Sequence, residues 1–229
     1  MRLDKFIGHS SDLSRSQIHI AIRRGEVLVN GVVAKLPREH IDQQDQVTLQ
    51  GRLLAAPGKR YLMLHKPSDV LCARTDANQP CVLDLIDSDH KSGLQIVGRL
   101  DKDTTGLLLL TDDGQWNHRI TSPRHRCSKV YRVTTAEPIS EGAVEQLAAG
   151  MHLRGDKHPC LPAHLQILDS HTALLDIQEG RYHQVKRLFG ALGNRVVTLH
   201  RQSIGAIELD PALAPGQWRH LTADEIASV

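Results

Sequence analysis

Residues 94–112 read LQIVGRLDKDTTGLLLLTD. Two apolar, β-rich runs, 94–100 and 106–112, flank the polar loop Asp101-Lys102-Asp103-Thr104-Thr105, which Gly106 closes. A loop held between buried strands fixes its carboxylates on a rigid frame, where chemistry tends to sit. Three readings of the loop compete. Asp101, Asp103, Thr105, Gly106 and Asp112 stand at positions one, three, five, six and twelve of a calcium-binding loop. The intervening LLLLT and the strand flanks prevent such a segment from wrapping an ion, so that reading is rejected. Asp101 and Asp103 also offer a carboxylate pair, but two residues apart on one segment does not set two carboxyls across a sugar ring. The third reading is structural, because Asp and Thr commonly satisfy turn amides. On residue chemistry alone this turn reading stands first.

Outward from the loop, the pattern continues as strands interrupted by single helices. YLMLHK (61–66), KVYRVTT (129–135), HLQILD (164–169), TALLDIQ (172–178), RVVTLHR (195–201) and AIELD (206–210) are β-like, whereas 140–150, 181–192 and 222–228 are predicted helices. In 181–192, Val185, Leu188, Phe189 and Leu192 share one face and Gly193 stops the helix. Thr222 to Glu225 reads as a capping box. Many strands with few helices, in no strict alternation, predict an α+β fold with a mixed, largely antiparallel sheet. The first fifty residues read as a separate small α/β module. Two short helices precede VLVNGVVAK (27–35), where Asn30-Gly31 is a strong hairpin signal. GRLLAAPGK (51–59) has the punctuation of a linker, which predicts a module 1–58 and a larger domain 59–229.

The chain has 229 residues, enough for two such domains, and 40% of them are hydrophobic, which excludes a disordered tail. No run approaches the ~18 apolar residues of a membrane span, and the start lacks a secretory core, so a cytoplasmic protein without a membrane partner is expected. Cys72, Cys81, Cys127 and Cys160 form no zinc-ligand pattern. Seven aromatic residues are too few for a surface built on rows of stacking rings. Twenty-eight Lys and Arg against 26 Asp and Glu leave only +2 of net charge, so a polyanion must be met by local patches. Three exist. Residues 1–24 carry five basic and two acidic side chains, while 114–136 and 180–206 each carry five basic and none acidic. Such stretches fit a phosphate backbone.

GRLDKDTTGLLLLTDDG (98–114) resembles the catalytic motif of the RNA pseudouridine synthases, in the branch that modifies ribosomal RNA. HRITSPRHRCSKVYRV (118–133), EGRYHQVKRLFGALGNRVVTLHR (179–201) and LAPGQWRHLTADEI (213–226) resemble the later motifs of that family, in the same order. RLDKFI (2–7) and SRSQIHIAIRRGEVLVNG (14–31) are similar to the S-four type of RNA-binding domain. Together these cover nearly the whole chain. The resemblance is greatest to the small-subunit branch, which implies isomerisation of one uridine of 16S ribosomal RNA, conventionally numbered 516, within a partly assembled small subunit. It also implies no cofactor and no metal, since the rearrangement is redox-neutral; a monomer is expected because no coiled-coil or assembly segment is visible. The alternatives are the same chemistry on large-subunit RNA, and a non-catalytic RNA-binding factor of ribosome assembly.

Carried onto matching positions, the resemblance makes Asp101 the nucleophile, acting after the target base leaves its stack. Arg99 matches the basic residue that fills the vacated space, and Tyr131 the tyrosine that packs on the uracil. Lys186 matches the cation paired with the catalytic Asp, where other branches carry Arg, and Leu199 the apolar residue beneath the base. Arg181, His183, Gln184 and Arg201 are expected to shape the cleft or hold phosphate. Arg124 of the second basic stretch, and Arg2, Lys5, Ser14, Arg15, Arg23 and Arg24 of the small module, are expected at the RNA face. Asn30 is expected near the same face, although its hairpin turn already explains it.

Overall fold

The computed structural model describes every residue except 12, 43, 55–57, 88–90 and 92. Asp12 of the first basic stretch and the centre of the expected linker therefore lie outside the described residues. Backbone contacts divide the chain into two compact units, Met1–Lys59 with Asp87–Gly93, and Arg60–Ile86 with Leu94–Val229. The assignment of 87–93 has no counterpart in the sequence pattern.

In the first unit, α1 (Leu3–Ser10) and α2 (Arg15–Arg23) precede a four-stranded antiparallel sheet of order β2-β1-β3-β4, made of Val32–Val33, Val27–Val29, Val47–Leu49 and Arg52–Leu53. Leu3, Phe6, Ile7, Ile18 and Ile22 form the helical side of its core, and Val27 and Val47 the sheet side. Ser14 starts α2 through a reciprocal cap with Gln17, satisfying amides that open a helix. Asn30 (φ 52°) and Gly31 (φ 79°) both take the left-handed conformation that the expected hairpin requires. Gln50 and Gly51 repeat that conformation between β3 and β4. This corrects the linker, whose start, Gly51–Leu54, is hairpin rather than connection; Gln50 lacks the Asn or Asp that would have signalled the turn.

The second unit is built on a nine-stranded sheet. Its main path runs β13 (Trp218–His220), β5 (Tyr61–Lys66), β7 (Thr105–Thr111), β11 (Val196–Ile204), β8 (Lys129–Thr135), β10 (Thr172–Ile177) and β9 (His164–Ile167). β6 (Gln95–Val97) pairs with β7, and β12 (Ile207–Glu208) with β11. All pairs are antiparallel except β7 with β11, so the sheet is mixed and largely antiparallel, as expected. One face buries Leu62, Leu64, Leu108, Val133 and Leu175 against α4 (Gly142–Ala149) and α5 (Gln184–Ala191). The opposite face buries Met63, Leu107, Leu109 and Ile204 against α3 (Gly114–Thr121), whose Trp116 and Ile120 are fully covered. α6 (Ala223–Ala227) follows the cap that Thr222 and Glu225 form.

An α-helix and a strand of this unit escaped the sequence pattern, as did the short 3-10 turns Val82–Leu85 and Pro123–His125. α3 lies in a stretch read only for its basic charge; Asp113 caps it by accepting from the Gln115 and Trp116 amides, and glycine at its first position hides the start. β13 is three residues long, too short for an alternation to register. The helix expected from 181 begins only at Gln184, because His183 adopts φ 47° and Arg181–His183 form a turn.

Candidate active site

The loop that opens the sequence argument joins β6 to β7 and enters a cavity of about 490 Å³. Ligand sites commonly fall between about 300 and 1,000 Å³. Its walls include Arg99, Lys102, Lys129, Arg181 and Arg201, and Asp101 is its one carboxylate among the described residues. A smaller recess of about 70 Å³ opens beside it, lined by Asp101, Thr104, Tyr131, Ile177, Val185 and Leu199 among others. The recess thus sets apolar Ile177, Val185 and Leu199 beside the Asp101 carboxylate and the polar groups of Arg99, Arg181 and His183.

Tertiary structure separates the two loop carboxylates. Asp101 has 25% of its side chain exposed and lines both spaces, whereas Asp103 is 65% exposed and lines neither. Lys186, from the first turn of α5, bridges them: its Nζ lies 3.4 Å from Asp101 Oδ2 and 2.6 Å from Asp103 Oδ1. The shorter contact is to Asp103, so the expected pairing with Asp101 is shared. Burial lowers the Lys186 pKa, but the Asp103 hydrogen bond and the Asp101 charge outweigh it and raise the value overall. The same hydrogen bond holds the Asp103 carboxyl below the usual carboxylate range. His183 Nε2 stands 3.4 Å from Asp101 Oδ1.

Two buried cations hold the loop from beneath. Lys66, at the end of β5 and 0% exposed, donates to the carbonyls of Pro67, Lys102 and Thr104 at 2.9, 2.9 and 2.8 Å. Arg201 of β11, 1% exposed, donates to the carbonyls of Gly98 (2.9 Å) and Leu107 (2.8 Å), one on each side of the loop, and to the Tyr131 hydroxyl at 3.3 Å. Burying an ammonium or guanidinium is tolerable only when its donors are satisfied. The three carbonyls match the three donors of Lys66, and every nitrogen of the Arg201 guanidinium has a partner. The Leu100 amide adds a contact to Cys72 Sγ at 3.2 Å. The parallel pairing sets Arg201 opposite Gly106, so Leu199, two residues earlier on the same face, reaches the recess. Gly106 is required there: a Cβ would stand 2.2 Å from the Arg201 carbonyl oxygen.

Asp101, Tyr131 and Leu199 are brought into one recess, with Lys186 beside Asp101. Arg99 is exposed at the mouth. Two residues expected to shape the cleft or hold phosphate are engaged within the fold. Arg201 is 1% exposed and donates to the loop's flanking carbonyls and to Tyr131, so it braces the site from its place in the cavity wall. Arg181 donates to Glu179 (3.0 Å), Asp156 (2.9 Å) and the carbonyls of His158 and Pro159. It clamps residues 156–159 to the turn before α5, and with Gln184, which donates to buried Glu179, it shapes the cleft wall. Arg124 is exposed in a short 3-10 turn, Pro123–His125. In the first unit Arg2, Lys5, Ser14, Arg15, Arg23 and Arg24 are all exposed, but Arg2 is held by Asp4 at 2.6 Å and Ser14 is spent on its cap. Asn30 bonds Asp45 and the Gln46 amide, as a turn residue.

Sequence reasoning missed Lys66 and Tyr182. Alternation with Leu62 and Leu64 put Lys66 on the buried face, a signal that was present. Tyr182 is 76% exposed, stacks on His183 at 3.9 Å between ring centroids, and lines the larger cavity. Among the described residues no cluster of three or more His, Cys, Asp or Glu could hold a metal ion, and no helix is long and apolar enough to cross a membrane.

The family model for RNA pseudouridylate synthase matches residues 60–191, and that for the S4 domain matches residues 1–47. A Pasteurella multocida protein named ribosomal small subunit pseudouridine synthase A is 49% identical over 229 residues, covering 100% of this chain and 99% of its own. The chain belongs to the RNA pseudouridylate synthase family. A Vibrio cholerae protein of the same name is 47% identical with the same coverage. A solved structure described as a pseudouridylate synthase superposes with a TM-score of 0.73 at 47% identity, covering 100% of this chain and 99% of that one. In this pseudouridylate synthase fold, the motif carrying Asp101 is the strand-flanked loop that enters the cavity.

Proposed function

We propose that this pseudouridylate synthase isomerises one uridine of 16S ribosomal RNA, the position numbered 516, within a partly assembled small subunit. Its full-length relatives carry small-subunit synthase names, which supports the ribosomal substrate. The observation that carries the chemistry is Asp101 in one recess with Tyr131 and Leu199, beside the Lys186 ammonium.

A flipped uridine entering this recess lays its ring against Tyr131 and Leu199 and meets the Asp101 carboxylate. The reaction breaks the C1′–N1 bond, turns the base within the pocket, and joins C1′ to C5, whose proton is then removed. Uracil leaves poorly, and a fixed carboxylate assists by attacking C1′ or C6, or by stabilising a cationic or glycal-like sugar. Lys186 supplies fixed positive charge next to that carboxylate as it loses water. Arg99 occupies the space the base leaves, and the Tyr182 ring offers a face on which an adjacent base stacks.

The test incubates the full chain with 16S RNA, free and in partly assembled particles, and maps pseudouridine by carbodiimide-dependent primer-extension stops. One stop is expected, absent with Asp101→Ala while RNA binding persists. Blank lanes for both proteins on every ribosomal substrate support an assembly factor instead, and a stop on large-subunit RNA reassigns the substrate.

A further inference from the structure

Among the described residues, three buried side-chain polar atoms lack a hydrogen-bond partner: Ser10 Oγ, His19 Nε2 and Thr104 Oγ1. Only Thr104 belongs to the catalytic unit, and it lines the inner recess with Asp101, Tyr131 and Leu199. The residue is 1% exposed and held at both ends of its peptide unit. Its amide donates to the Asp101 carbonyl at 3.1 Å, and its own carbonyl accepts from Lys66 Nζ at 2.8 Å. A hydroxyl kept buried and unpaired destabilises a fold, and valine, of the same shape, would avoid that cost. A polar group retained at such a position, on a rigid loop and at the wall of a substrate pocket, is poised for a ligand.

We propose that Thr104 is a further catalytic residue, whose hydroxyl donates to a carbonyl oxygen of the flipped uracil. This rests on the function proposed above. When C1′–N1 breaks, its electron pair enters the ring, and the negative charge spreads over N1 and the carbonyl oxygens. When a nucleophile adds to C6 instead, charge develops on the C4 carbonyl oxygen. Both routes therefore load a carbonyl oxygen, and a pre-positioned donor stabilises that charge more than the neutral ground state. The hydroxyl keeps its proton throughout; only the hydrogen bond strengthens.

The experiment compares wild type, Thr104→Val and Thr104→Ser. Single-turnover pseudouridine formation on 16S RNA should fall at least tenfold in the valine variant and stay within about threefold in the serine variant. RNA affinity should stay within about twofold for both, and the melting temperature of Thr104→Val should equal or exceed that of wild type. A valine variant at wild-type rate, a serine variant as slow as valine, or a valine variant melting several degrees lower overturns the proposal. The last outcome would place the hydroxyl's partner inside the fold. A parallel titration with uridine 5′-monophosphate, followed by NMR, should show at least threefold weaker binding by Thr104→Val. If wild type forms no pseudouridine on any ribosomal RNA, the reading of function fails and this titration decides Thr104 alone. Equal affinities, including no binding by either protein, then overturn it.

Discussion

Two carboxylates two residues apart on one loop differ in what they can do, because one lines the recess and the other faces solvent. Asp101→Asn should abolish turnover by about a thousandfold or more, whereas Asp103→Asn should lower it by less than about tenfold, through a less constrained Lys186. Single-turnover rates on one RNA substrate separate the two, and equal losses would remove the distinction. Lys186 is 28% exposed and shared between both carboxylates, so its charge matters more than one fixed pairing. Lys186→Met should slow the reaction at least tenfold, and Lys186→Arg should recover part of that loss, since the guanidinium keeps the charge but changes the geometry. At this scale the sequence named Asp101 through its motif and did not show how it is held. Lys66 and Arg201 act through backbone carbonyls that no side-chain pattern displays.

Strand pairing decides what the loop can present. β7 and β11 are parallel neighbours, and their backbones approach so closely at Gly106 that any side chain there collides with the Arg201 main chain. Gly106 also sits at φ 105°, a conformation costly for other residues. Gly106→Ala should therefore destabilise the second unit by at least about 3 kcal/mol, seen as a collapse of soluble yield or a steep drop in melting temperature. An alanine variant that melts like wild type would show the two strands can part. In the first unit, Ser14→Ala removes one side of the reciprocal cap on α2 and should cost about 1 kcal/mol, measurable by thermal unfolding. The strands and the hairpin at Asn30-Gly31 were legible because alternation and turn chemistry are local. The hairpin at Gln50-Gly51, helix α3 and strand β13 were not, because an atypical turn residue, a glycine start and three-residue brevity weaken the same local signals.

Across the whole molecule the charge is nearly balanced, so affinity for RNA depends on where the unopposed cations lie. Binding should weaken on the order of a hundredfold between ~50 and ~200 mM salt if about four phosphates are neutralised, and a salt-independent affinity would exclude that mode. Acid should unfold the protein through its engaged carboxylates. Arg187 and Arg181 hold the Asp156 carboxyl below its ordinary value, the Ala212 amide and Arg219 do so for Asp210, and Arg219 does so for Glu225. Groups lowered in the folded state contribute stability above the unfolded carboxylate range near pH 4, and lose it as pH falls through that range to their folded values. Melting temperature should thus be flat from neutral pH to about pH 5 and fall below it, and an unchanged value at about pH 3 would contradict this linkage. By itself the amino-acid sequence determined the α+β class, most strands, the small N-terminal module and the Asp101 motif, because alternation, turn residues and ordered motifs are local properties. Only the tertiary structure decided which loop carboxylate enters the recess, that Arg181 and Arg201 brace the site through partners within the fold, and that Thr104 is left unpaired. Those outcomes depend on burial and on partners distant in the chain, which proximity along the sequence does not encode.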